Sequence, residues 1–384
     1  MKSKKFLQPL STLLSALLCI VIGLGIGFLI LLALSWSAFL QSGEPFTFWD
    51  VVSSAYTDGF RQILMGGFFL QPRGVYGAIT LAAPLIMTGL SVGFAFKTGL
   101  FNIGAAGQYA VGAFGGLLFA IVLKCPWYIC LLGAMLFGAA WGAIPGLFKA
   151  YLNINEVITS IMFNWIGLYA VNTLAYGGGT SPLYNAKTTK TWTLKGLYDQ
   201  ALIPNFQIGH YFKNSQRPTI AIFIAIAIAI ILYVVINKTV FGYELKACGL
   251  SKTAAKYTGI NEKKNIILSM TIAGALAGLG AGLYYLSGTA EWQPLVSTSL
   301  PGIGFDGISV ALLASSNPIG IIFSALFISH ISTGGGMMNA NLFPPEIADV
   351  ISGIIIYLCA FMMLFKSGVL KLFVKKDRAE GGKK

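Results

Sequence analysis

The sequence predicts an all-α polytopic membrane protein with 8 to 10 transmembrane helices, two of them broken or re-entrant in a pseudo-repeated arrangement. Composition is the first reason: of 384 residues, 56% are hydrophobic and 10% charged, and the mean hydropathy is +0.75. The second is run length, since the apolar residues fall in stretches of about 18 to 25, enough to cross hydrocarbon. The third is a glycine-rich interruption that occurs twice: Ile103-Gly104-x-x-Gly107 returns as Ile303-Gly304-x-x-Gly307, each copy opening an apolar helix. Interrupted hydrophobic segments at corresponding places in two halves point to a transporter's solute path.

The charge fixes an orientation. The net charge is +13, and 16 of the 26 Lys and Arg sit before Phe6, within 237–264 or after Phe365. The positive-inside rule accounts for this better than nucleic-acid binding does, so no nucleic acid is expected. All three segments are then cytoplasmic, both termini included, and the number of crossings is even. The five cysteines are scattered without metal-ligand spacing.

Three parts follow along the chain. Residues 1–76 form an N-terminal transmembrane helix and an outer segment. The stretch from Leu10 to about Leu40 is too long for a signal-peptide core and ends in no clear cleavage site. Phe46 to Phe69 mixes aromatic and polar residues in the manner of an interfacial helix or a plain connector. Residues 77–365 form a membrane-embedded core with a cytoplasmic loop at 237–264, and 366–384 is a basic cytoplasmic tail. Within the core, spans are expected at 77–96, 109–123, 127–147, 156–176, 219–236, 266–286 and 347–365. Segment 302–331, broken at Asn317 and Pro318, re-enters or crosses twice, which sets the count at eight or ten. Residues 177–218 are polar, read as outer, and serve as a solvated loop or a docking surface for a soluble partner.

The break from Gly99 to Gly107 separates two stretches apolar enough for the bilayer. Backbone that leaves a helix at membrane depth has to be buried in protein or line a watery cavity. Asn102 and Gln108 bring amides to it. Farther on, Thr159, Ser160 and Asn164 share a helix face with Glu156, and such a face points into the bundle. The small residues of 266–286 predict close packing inside the bundle. In the cytoplasmic loop, Ser251 can cap a short helix through Thr258 that Gly259 ends, with Ala254, Ala255 and Thr258 along one side and Lys252 and Lys256 beside them.

Several chemistries are missing from the sequence. There is no G-x-x-x-x-G-K-[ST] and no H-E-x-x-H, and the histidines are His210 and His330 alone. Asp306 is the one carboxylate plainly inside a hydrophobic segment, few for an ion-driven transporter; its role is solute contact, gating or bracing of a half-helix. His330, near the end of an apolar run, reads as an interface residue. No acid, base, nucleophile or metal cluster suggests an enzyme.

GLFNIGAAGQ (Gly99 to Gln108), NEVITSIMFNW (Asn155 to Trp165), GYELKACGLSKTAAKYTGI (Gly242 to Ile260) and GIGFDGISVALL (Gly302 to Leu313) together resemble the permease subunit of bacterial ABC importers for nucleosides, relatives of the ribose and branched-chain amino acid permeases. The resemblance spans about 77–365. It implies a multi-pass protein of the bacterial cytoplasmic membrane, in contact with lipid, paired with a second permease as a heterodimer. It also implies two ATPase subunits and an extracytoplasmic substrate-binding protein. No cofactor is expected on this chain, ATP and Mg belonging to the ATPase. Gly242, Glu244, Lys246, Gly249, Ser251, Lys252, Ala254, Ala255, Lys256 and Gly259 would form the coupling element, its helix seated in an ATPase groove. Asn102, Gln108, Asn164 and Asp306 would line the path, with Phe101, Trp165 and Phe305 facing an aromatic base. Transport of a sugar or another small solute by the same machinery is the alternative, and secondary transport a more distant one.

Overall fold

In the computed structural model, described for residues 2–43, 45–205, 219–344 and 346–360, the chain is predominantly helical. Among the described residues, eight helices are long and apolar enough to cross a membrane. The protein divides into two compact units, one holding the chain up to Gly74 and from His330 on, the other Val75–Ser329. The basic tail, His210, Lys213 and Arg217 lie outside the described residues.

In the first unit, α1 (Lys2–Ser42) carries the expected N-terminal span, Leu17–Ser42. A capping box at Thr47 and Asp50 starts α2 (Phe48–Ser54). The Asp50 carboxylate accepts from the Thr47 N–H at 2.8 Å and from its hydroxyl at 2.7 Å, which holds its pKa below the usual carboxylate value. π-Helical turns (Ala55–Phe60 and Gly66–Leu70) flank α3 (Arg61–Met65), so 46–69, expected as an interfacial helix or a plain connector, is one nearly continuous helical run. The last helix of the unit, α14 (Glu346–Ala360), packs on α1, and the reason is local: Gly23 and Gly27 have no side chains to hold off Ile355 and Ile351. His330 is a packing residue, its Nε2 donating to Leu64 O at 3.0 Å and its ring stacked on Phe68 at 5.0 Å.

The second unit is built on α4 (Pro72–Lys97), α5 (Ala105–Leu117, prolonged by a π turn to Val122), α6 (Trp127–Leu152), α7 (Glu156–Tyr176), α8 (Ala221–Lys238) and α11 (Glu262–Tyr285). Helices α5, α6 and α11 meet where glycines face each other. A Cβ on Gly138 would stand 2.7 Å from Gly278 Cα, and one on Gly142 would stand 2.8 Å from Gly274 Cα. Gly112 meets Gly278 from the third side. This is the close helix packing expected of 266–286. At its C-terminal end, α6 is tied to α7 by Lys149 Nζ and Glu156 at 2.8 Å, and to α11 by Lys263 over the Tyr151 ring at 4.9 Å.

The segment at 302–331 resolves into α12 (Gly302–Leu313) and α13 (Pro318–Gly335). With 12 residues α12 is about 18 Å long, too short to span hydrocarbon, whereas α13 is long enough to cross alone. Ser315 and Ser316, both at positive φ, make the turn ahead of Pro318. The polar segment after α7 is folded over its described part, with many of its residues exposed. It folds as a small hairpin, β1 (Tyr184–Asn185) with β2 (Lys190–Thr191), over buried Leu183, Leu194 and Ile203.

Candidate functional site

Two places gather the residues that the sequence singles out, both in the second unit. The first is the break between α4 and α5. Thr98 ends α4 with its hydroxyl on Ala95 O at 2.9 Å, Gly99 turns at φ +74°, and α5 resumes at Ala105, four residues earlier than its apolar pattern suggested. Leaving the helix frees backbone groups, and three buried amides take them up or lock the loop. Asn102 Nδ2 donates to Ser91 Oγ at 3.0 Å and to Gln108 Oε1 at 2.8 Å, while Gln108 Nε2 donates back to Asn102 Oδ1 at 3.0 Å. Asn164 accepts from Gly107 N at 2.8 Å and donates to Ile103 O at 3.0 Å. Gly107 allows this approach, because a Cβ there would lie 2.7 Å from Asn164 Cα. In this arrangement the three amides hold the break itself together.

The polar face of α7 is buried as its spacing predicted: Thr159, Ser160 and Asn164 are all covered, and Glu156 turns to Lys149. The aromatic candidates scatter. Phe101 is half-buried and stacks on Phe96 at 4.8 Å. Trp165 lies on the opposite, exposed face of α7, stacked on Tyr169 at 6.0 Å, and so is not brought to Asn164. Successive helical residues point about 100° apart, so neighbours in a motif need not share a site.

Helix α12 sorts its residues cleanly. Gly304 and Gly307 face inward, where a Cβ would meet Ala106 N at 2.7 Å and Thr88 C at 2.7 Å. The second IGxxG copy thus rests on the first. Phe305 and Asp306 lie on the exposed face together with Leu312.

The second place is the loop after α8. Instead of one short helix it holds two, α9 (Val240–Leu250) and α10 (Lys252–Tyr257). Glycines at 242 and 249 hide α9 in a propensity reading. Its cap is the Thr239 hydroxyl, accepting from Gly242 N at 3.1 Å, and the Ser251 hydroxyl caps α10 by accepting from Ala254 N at 3.3 Å. Gly259 ends it at φ +80°. Ala255 corrects the expected docking side, being 3% exposed and turned into the protein. Ala254 and Lys256 are exposed, Glu244 and Lys246 half-buried, and the side chain of Lys252 lies outside the described residues. Gly242 packs on the last carbonyls of α8, and Gly249 packs on Thr98 and Gly99. Among the residues that do project are Tyr243, Leu250 and Tyr257, at 68%, 89% and 93% exposure, with Val240 at the start of α9 at 75%. Three large apolar side chains in a lysine-rich loop were the sequence signal for them.

A further cluster went unnoticed in the sequence. Asn172, two turns after Asn164, accepts from Trp292 Nε1 at 2.9 Å and donates to Ser297 O at 2.8 Å. Thr191 N donates to Trp292 O at 2.8 Å, and Trp292 N donates to the Thr191 hydroxyl at 3.0 Å. These bonds tie the hairpin and α7 to the connector between α11 and α12. No group of three His, Cys, Asp or Glu able to hold a metal occurs among the described residues.

Comparisons with known proteins agree with this architecture. Residues 74–360 match the family described as branched-chain amino acid transport system / permease component. The chain is 35% identical over 371 residues to the guanosine ABC transporter permease protein NupP of Bacillus subtilis, covering 95% of this chain and 98% of the relative. It is 34% identical over 373 residues to the nucleoside ABC transporter permease protein NupB of Lactococcus lactis, covering 95% and 93%. A more distant relative is the glucose ABC transporter permease protein TsgB13 of Haloferax volcanii, 28% identical over 76% of this chain and 77% of the relative. No solved structure matches the chain.

Proposed function

This chain belongs to the permease-component family of branched-chain amino acid transport systems, and from that premise we propose that it imports nucleosides as one of two different permeases driven by separate ATPase subunits. It is a multi-pass membrane protein and a transport component rather than an enzyme. The nucleoside assignment is supported by near full-length similarity to relatives named for guanosine and nucleosides. The heterodimer is supported by weaker similarity to a second permease in each of those organisms, NupQ at 28% and NupC at 25% identity.

The observation that carries the ATPase-driven mechanism is the α9–α10 loop with its projecting Tyr243, Leu250 and Tyr257. Large apolar side chains on a water-facing basic loop need a partner surface. The loop is cytoplasmic by its lysines, as are both termini, and it seats in an ATPase groove through these three residues with Ala254 and Lys256 beside them. ATP and Mg are held by the ATPase, and this chain holds no cofactor. An extracytoplasmic binding protein delivers the solute. Phe305 and Asp306, on the exposed face of α12, border the path: a ring for stacking on a base and a carboxylate for accepting from ribose hydroxyls. Asn102, Gln108 and Asn164 shape the wall behind them.

Uptake of a labelled nucleoside, in cells with and without this chain and with the ATPase disabled, tests the assignment. Loss in both cases is expected. A second reading, sugar import by the same machinery, is favoured by the similarity to the glucose permease; it predicts ATPase-dependent uptake of sugar and none of nucleoside. Uptake that ignores the ATPase would mark a secondary transporter.

A further inference from the structure

A line of side-chain-free contacts runs from the cytoplasmic loop to α12. At its start, Gly249 near the end of α9 lies on the backbone at the start of the break: a Cβ there would sit 2.6 Å from Thr98 C and 2.7 Å from Gly99 N. Gly99 is glycine for two reasons, its φ of +74° and the Gly249 backbone where its own Cβ would be. With no side chain on either residue, no rotamer change can absorb a displacement of one against the other. The break is then held as one piece. Asn102 and Gln108 exchange two hydrogen bonds, and Asn164 of α7 clasps Ile103 O and Gly107 N, so the break is cross-linked by buried hydrogen bonds. At the far end Gly304 rests on the backbone of Ala106. Val92, Ala105 and Ala311 pack in one buried cluster around that contact. The opposite face of α12 carries Phe305 and Asp306.

We propose that Gly249 and Gly304 are positioning residues that transmit movement of the coupling loop, through the rigid break, to the face of α12 that borders the solute path. The proposal rests on the reading of this chain as an ATPase-driven permease. It names the two-ended element that the loop would have to move, which spatial adjacency alone does not supply. Adding one methyl group at either contact forces the two backbones apart and breaks the transmission, and at Gly304 it does so away from the surface that meets the ATPase. In the assembled importer, Gly304→Ala keeps nucleotide hydrolysis within about twofold of the parent, and Gly249→Ala and Gly304→Ala each lose at least tenfold in uptake, a ratio of about ten being about 1.4 kcal/mol. Gly353→Ala, a helical position with open space around it, leaves both unchanged.

Thiol labelling separates transmission from loss of fold. Gly302 is exposed with nothing near its Cβ position, so Gly302→Cys, in a background with the five native cysteines replaced, reports on α12. The labelling rate is expected to change at least threefold between the nucleotide-free importer and one trapped with ATP and vanadate. That response disappears when Gly249→Ala or Gly304→Ala is added, although the ATPase still copurifies. Should Gly249→Ala fail to assemble, Gly304→Ala, away from the coupling loop, decides the matter. A response that persists in the variants, or one that the Gly302→Cys parent never shows while the complex hydrolyses ATP, overturns the transmission and leaves the importer reading intact. A parent chain that captures no ATPase overturns both.

Discussion

Asn102 and Gln108 exchange their amide hydrogen bonds, Nδ2 to Oε1 at 2.8 Å and Nε2 to Oδ1 at 3.0 Å, inside the break that separates α4 from α5. Both are at most 1% exposed. A buried amide pair this closed fixes the shape of the break.

Replacing one member strands the other. Asn102→Leu or Gln108→Leu is expected to cost about 1–3 kcal/mol, the usual penalty of an unsatisfied buried polar group. The double substitution should cost less than the sum of the singles, because it leaves no orphaned amide between them. Thermal unfolding of the four proteins in detergent gives the cycle; additive losses would mean that the pair is not coupled.

The two sides of α10 separate docking from folding. Ala255→Asp buries a carboxylate at a position 3% exposed and is expected to lower the yield and melting temperature of the isolated permease. Leu250→Asp and Tyr257→Asp leave that melting temperature within a degree or two and abolish capture of the ATPase. Copurification and a melting curve on each variant check the assignment, and the reverse pattern would restore Ala255 to the interface.

At the glycine contact of α6 with α11, overpacking is costly. A Cβ on Gly278 would stand 2.9 Å from Gly138 Cα, with no rotatable atom to yield. Gly278→Ala is expected to destabilise by about 1–3 kcal/mol despite the better helix propensity of alanine. A melting temperature equal to or above the parent's would show that the helices can part at no cost.

Asp50 links the start of α2 to pH. Its folded pKa lies below its unfolded value because Thr47 donates to the carboxylate. Its contribution is therefore present above the unfolded carboxylate pKa of about 3.9 and is lost as pH falls through the lower folded value. Hydrogen exchange of the first α2 amides should quicken as the pH drops through that window, after correction for the intrinsic rate, and Asp50→Asn should remove the dependence.

What could be read along the chain was what local pattern determines. Run length and charge placement set the spans, the spacing of Thr159, Ser160 and Asn164 set one face of α7, and Ser251 with Gly259 set the limits of α10. Each depends on residues within a turn or two of each other, so the sequence alone carried them. Partners are another matter. That Asn102 pairs with Gln108, that Trp165 turns away from Asn164, and that Ala255 is hidden while Tyr257 projects are settled by which surfaces meet in the packed bundle. The contacts of Gly99 with Gly249 and of Ala106 with Gly304 join residues far apart in the chain, and only folding brings their backbones together. Glycine marks a place where something approaches closely; the tertiary structure decides what approaches, because a missing side chain carries no address of its own.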